Sequence, residues 1–304
     1  MELIRSGTNI DFVGKRGTAL IFSLSLIIIT MASLILRNGP NYGIDFAGGT
    51  LVHVKFNDTA LSIDSLRDSL AKVDLGDVLV QDFGEGAGEY LIRIEKGTGK
   101  VEDLSHSVKG QLSDSFGAGS YEVRRVEMVG PQVGDDLKTK ALMAILYAMG
   151  GILIYVSLRF EFRYALGAII AIAHDVLVTV GAFAVTGYEI SLPVIAAILA
   201  VIGYSLNDTI IVYDRIRENM KRVKKGQEES CINQSINETL SRTILTSVTT
   251  LIVVLALFLY GGGVIHNFAF ALLVGVLIGT YSSIFVASPV LIYYDALFSK
   301  TKGA

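Results

Sequence analysis

Cysteine is nearly absent from this chain: Cys231 is the only one in 304 residues, so no internal disulfide can staple any part of it. No nucleotide-binding loop, metal-ligand spacing or nucleophile–base arrangement occurs either. These absences argue against an enzyme and against a bound cofactor or metal ion, and they leave nothing to bind ATP. Energy for any work must come from a membrane or a partner. Lys and Arg are missing from two short stretches, 187–191 and 261–263. A cleavable signal is missing too. The first apolar run, 17–36, is longer than a usual signal core and leads into Arg37-Asn38-Gly39-Pro40, not a small-residue cleavage site.

What the chain has in abundance is apolar sequence, with 51% hydrophobic residues and a mean hydropathy of +0.53. A bilayer span needs about 20 mostly apolar residues. Six stretches qualify: 17–36, 141–158, 165–186, 192–213, 243–260 and 264–294, the last long enough to tilt or to kink at Pro289. Basic residues fall on one side of a six-span topology. They are Arg5, Lys15 and Arg16; Arg159 and Arg163; Arg215, Arg217, Lys221, Arg222, Lys224, Lys225 and Arg242; and Lys300 and Lys302. That side is expected to be the cytoplasm, placing 1–16, the basic loop 214–242 and the tail 295–304 on the inner face of the cytoplasmic membrane. The basic amphipathic segment 213–225 is read as lying on anionic lipid headgroups or as contacting a partner.

Residues 37–140 then lie outside. Strand alternation at 50–56, helical spacing at 63–73, strands at 77–83 and 89–95 around Gly84, Gly86 and Gly88, a helix at 101–116 (Leu104, Val108 and Leu112 on one face) and a strand at 121–129 give the order β-α-β-β-α-β. That order predicts a split βαβ, ferredoxin-like α+β domain held by packing alone. His53 and His106 are isolated in it, and a surface or structural role is expected of each.

Two spans carry carboxylates. A charge at the bilayer centre costs roughly 2.5–3.5 kcal/mol on insertion scales, so such residues commonly mark an ion or proton path. Asp175, beside His174, lies in the middle of the third span. It is read either as a protonatable site or as structural glue. Asp208 lies toward the cytoplasmic end of the fourth, with Tyr204 and Ser205 one turn before it and Asn207 adjacent. Arg242 opens the fifth span at matching depth, followed by a hydroxyl stripe of Thr246, Thr249 and Thr250 with Ser247 nearby. An Asp208–Arg242 pair and an interfacial anchoring role for Arg242 are both open. Gly275 and Gly279 form a small-xxx-small pair suited to close helix approach.

Several strings resemble one family. YGIDFAGGT (42–50, with Gly43, Asp45, Gly48 and Gly49), AIAHDVLVTVG (171–181), VIGYSLNDTIIVYDRIREN (201–219) and SRTILTSVTT (241–250) are similar to the SecF side of the SecD/SecF protein-export family, as are NIDFVGKR (9–16) and VGPQVG (129–134). The resemblance implies six transmembrane helices forming half of a bundle of the resistance-nodulation-division type. It implies SecD, the SecYEG channel, a translocating preprotein and membrane lipids as partners, with no nucleic acid. It also implies late-stage export driven by the proton-motive force, with Asp208 and Arg242 in the proton-coupling positions and Asp175 in support. A small-molecule or lipid exporter half and a passive translocon scaffold are the alternatives.

Overall fold

The computed structural model describes residues 8–58, 61–73, 75, 77–83, 88–95, 101–224 and 226–299. Arg5, Lys225, Lys300 and Lys302, the turn residues Gly84 and Gly86, and the side chain of Leu104 lie outside what is described. A first helix, α1 (Arg16–Leu36), leads through a short turn of helix, α2 (Ile44–Ala47), into a small sheet domain. There follow β1 (Gly49–Phe56), α3 (Ile63–Leu70), β2 (Asp77–Asp82), β3 (Glu89–Glu95), α4 (Val101–Phe116) and β4 (Tyr121–Val129). The bundle resumes with α5 (Pro131–Arg159), α6 (Phe162–Thr186), α7 (Leu192–Met220) and α8 (Glu228–Tyr260). It closes with α9 (Gly262–Ser282), a π-helical turn (Ser283–Ala287) and α10 (Ser288–Ser299). Six of these stretches are long and apolar enough to cross a membrane, the sixth running from Ile265 to Asp295 through the π turn.

The sheet domain has the expected element order, and its strand order, β2-β3-β1-β4 with every neighbour antiparallel, is that of the split βαβ fold. Alternation along β1 sends Val52, Val54 and Phe56 inward, where they meet Ile92 and Ile94 of β3 and Leu66, Leu70, Val108 and Leu112 of the two helices. Ser62 starts α3 by accepting the Ser65 N–H at 3.2 Å, a side-chain cap that its position just before the apolar run anticipates. His53 contacts Glu89 at 3.0 Å, which Lys55 also holds at 3.0 Å, so it has a structural partner; His106 is exposed.

The helices differ from the apolar runs that signal them. The second begins at Pro131, not 141, because a proline costs nothing in a first turn whose N–H groups have no helical partner. The fourth continues to Met220 and the fifth already starts at Glu228, so most of the expected loop 214–242 is two helix ends. Charged residues do not stop a helix when they pair along and across it: Arg215 holds Glu218 at 2.9 Å on its own helix and Glu238 at 2.5 Å on α8. In the sixth span the break comes just before Pro289. Proline cannot donate to the carbonyl four residues back and clashes with it, and the wider π turn absorbs both problems. The Tyr213 hydroxyl, from α7, donates to the Ala287 carbonyl at 2.9 Å. At the opposite end of the bundle from the sheet, Asn233 and Asn237 of α8 hold the backbone of Ile10, Phe12 and Val13.

Candidate functional site within the helix bundle

Close helix approach builds the interior of the bundle. A Cβ at Gly275 would overlap the side chain of Val201, and one at Gly279 would lie 2.9 Å from the Ser205 Cβ. The small-xxx-small pair therefore brings α9 onto α7 and sets two serines, Ser205 and Ser282, against α6. Between them sits Asp175, 1% exposed. Its Oδ2 accepts the Ser205 hydroxyl at 2.6 Å and the Ser282 hydroxyl at 2.7 Å, and its Oδ1 lies 3.0 Å from His174 Nδ1. One carboxyl thus joins three helices. The other ring nitrogen of His174, Nε2, is buried with no hydrogen-bond partner among the described residues.

Asp208 is placed differently. It is fully buried, yet neither carboxyl oxygen has a hydrogen-bond partner among the described residues. Ser247 of α8 is near enough to act on it, but that hydroxyl is engaged with Thr280 Oγ1 at 2.6 Å. The hydroxyls of Tyr204, one turn before Asp208, and of Thr243, one turn before Ser247, are also buried and unpartnered among the described residues. Leaving buried polar groups unpaired costs about 1–3 kcal/mol each, so they are rare outside places with work to do. The Asp208 carboxyl is bound to no neighbouring side chain among the described residues, whereas the Asp175 carboxyl ties α7 and α9 to α6 through two hydroxyls.

Arg242 does not form an ion pair with Asp208. No contact within 4.0 Å joins them among the described residues, although the charge of Arg242 is close enough to act on the carboxyl. Arg242 is exposed on α8, and Asn207 is exposed on α7, outside the buried cluster. The expected hydroxyl stripe is also corrected. Thr246, Thr249 and Thr250 donate to carbonyls of their own helix at 2.9–3.1 Å, and Thr249 is exposed. The buried hydroxyls of α8 are Ser235, Thr239, Thr243 and Ser247, of which Thr243 and Ser247 lie at the start of the expected stripe. Ser282 and Thr280 have no sequence signal beyond lying on the same helix as Gly275 and Gly279.

The motif after the first helix lies at the Leu192 end of α7, sixteen residues before Asp208. Asp45 Oδ2 accepts the N–H of Leu192 at 2.8 Å and so caps α7, while the N–H of Gly43 donates to the Ile190 carbonyl at 2.9 Å. Gly48 and Gly49 both adopt positive φ, +74° and +119°, turning the chain sharply from α2 into β1.

Comparison with known proteins bears on the family and the fold. A family model described as "Protein export membrane protein SecD/SecF, C-terminal" matches residues 108–296, and the SecD/SecF GG motif matches 33–60. The protein translocase subunit SecF of Magnetococcus marinus is 51% identical over 97% of this chain and 95% of its own length. That of Vibrio alginolyticus is 44% identical over 94% and 90%. The crystal structure of SecDF from Thermus thermophilus superposes with a TM-score of 0.86 at 34% identity, covering 95% of this chain and 39% of that longer one. Spanning nearly the whole of its SecF relatives and about two-fifths of SecDF, this multi-pass chain belongs to the SecF family of protein translocase subunits.

Proposed function

We propose that this translocase subunit works beside SecD as one half of a paired bundle, assisting the SecYEG channel late in export by letting protons cross the membrane at Asp208. Both termini face the cytoplasm, the sheet domain stands outside near the emerging preprotein, and lipids surround the exposed apolar faces. The observation that carries this reading is a fully buried carboxyl with no hydrogen-bond partner among the described residues. Arg242, exposed on the neighbouring helix, supplies a positive field without a contact that would trap the charge. Protonating Asp208 removes the charge on which that field acts, and α7 is freed to shift against α8. A proton crossing the full field releases about 2.3 kcal/mol per 100 mV, enough for one or a few protons to bias a two-state bundle. Asp175, whose carboxyl already holds Ser205 and Ser282, serves as a brace and not as the exchanging site.

The test is late-stage release of an exported protein from sealed vesicles containing SecYEG, SecD and this chain, wild type or Asp208→Asn, with and without a proton gradient. Gradient-dependent release that disappears in the variant is the expected result. Equal release in all four conditions refutes proton coupling and leaves a scaffold. Replacing the proton gradient by a sodium gradient in the same vesicles identifies the coupling ion.

A further inference from the structure

The connection between α6 and α7 is held largely by groups from outside those two helices. Asn41 donates its side-chain N–H to the Gly187 carbonyl at 2.9 Å, and its own carbonyl accepts the Ile190 N–H at 2.7 Å. Asp45 caps Leu192, and Asn267 of α9 donates to the Glu189 carbonyl at 3.2 Å. The side chain of Glu189 reaches the helix-free face of the sheet, where Arg93 of β3 approaches it at 3.5 Å and Gln81 of β2 is near enough to act on it. Arg93 is itself only 4% exposed. Burial pushes the Glu189 carboxyl above its ordinary range despite the arginine beside it. A pair with one buried and one half-buried partner contributes little net stability, because desolvation offsets the attraction, but it fixes geometry and registers any displacement.

The sheet domain has a second fixed point. A Cβ at Gly48 would lie 3.1 Å from the Pro131 Cα, and one at Gly134 would lie 2.8 Å from the Phe46 carbonyl oxygen, so the GG turn is wedged against the start of α5. The domain therefore rests on the first turns of α5 and α7. α7 is unbroken from Leu192 to Met220, and Asp208 lies sixteen residues, about 24 Å, along it. A rigid rod shifted at Asp208 moves its capped end by a similar amount.

We infer that Asp45 and the Arg93–Glu189 pair form the joint through which movement of α7 is passed to the sheet domain, acting as positioning residues for export. The inference rests on the proton-driven reading above and adds to it where the motion leaves the membrane.

The test uses the full chain with SecD and SecYEG in vesicles, as Arg93→Glu, Glu189→Arg and the double exchange. Two readouts are taken. The first is gradient-dependent release. The second, without a gradient, is the spin-label distance between Glu122→Cys on the sheet domain and Tyr260→Cys at the bundle mouth, in a Cys231→Ser background. Each single reversal is expected to broaden the distance distribution and to cut release at least about fivefold, the lower end of ordinary coupling between sites. The double exchange is expected to restore both. Arg93→Lys, which keeps the charge, guards against misfolding and should retain most of both signals. Unchanged distances in the single reversals, or broadened distances with undiminished release, overturn the joint. Failure of the proton-driven reading appears separately, as gradient-independent release with Asp208→Asn while the distance readout still responds to Arg93.

Discussion

Replacing Asp175 by alanine should unfold the bundle more readily without resembling loss of Asp208. The carboxyl accepts two hydroxyls, Ser205 at 2.6 Å and Ser282 at 2.7 Å, in a site 1% exposed. Stranding a buried donor costs about 1–3 kcal/mol, so two stranded hydroxyls set a range of about 2–6 kcal/mol. Ser282 already shares the Gly279 carbonyl at 3.2 Å and can turn toward it, which places the expected loss near 3 kcal/mol. Asp175→Asn keeps an oxygen that can accept at least one hydroxyl, so its loss should be about half as large. The assay is reversible SDS-driven unfolding of the detergent-solubilised protein, read with Asp208→Asn alongside. Because Asp208 has no hydrogen-bond partner among the described residues, Asp208→Asn should leave the unfolding midpoint near wild type or raise it. A loss below about 1 kcal/mol for Asp175→Ala, or a larger loss for Asp208→Asn, would refute the assignment of brace and exchanging site.

Gly275→Ala places a methyl into the Val201 side chain and should cost about 1–3 kcal/mol of bundle stability, with Val201→Ala in the same chain restoring most of it. Phe56 is 2% exposed and packs edge-on against Tyr90 and Phe116, so Phe56→Ala should cost about 3–5 kcal/mol and make the sheet domain protease-sensitive while the helices stay protected. The Lys55 hydrogen bond, joined by His53 and opposed by burial, holds the Glu89 carboxyl below its ordinary 4.5. Its contribution is therefore present above pH 4.5 and lost as pH falls through the lowered value; hydrogen exchange of the β1–β3 amides, corrected for intrinsic rates, should show this loss in wild type and not in Glu89→Gln. Glu189 has the opposite sign: with its carboxyl raised, its contribution is present below pH 4.5 and lost as pH rises through the raised value.

Hydropathy and periodicity were enough for the number of spans, the element order of the sheet domain and the two buried carboxyls. Each is a property of a local window: about 20 apolar residues, an alternation of two, or a charge where charges are rare. The same local signals misplaced the ends of α5, α7 and α8, since a helix persists through polar residues that find partners, and pairs such as Arg215–Glu238 lie on different helices. The family strings marked Gly43, Asp45, Gly48 and Gly49, while their contacts with Ile190, Leu192 and Pro131 follow only from the packing of distant segments. What separates Asp175 from Asp208 was likewise invisible in sequence. Both are aspartates in apolar helices, and only the crossing of the helices gives one two serine hydrogen bonds while the serine beside the other, Ser247, is engaged with Thr280. Hydrogen bonding across a bundle depends on which helix faces meet, and the chain order of residues does not record that.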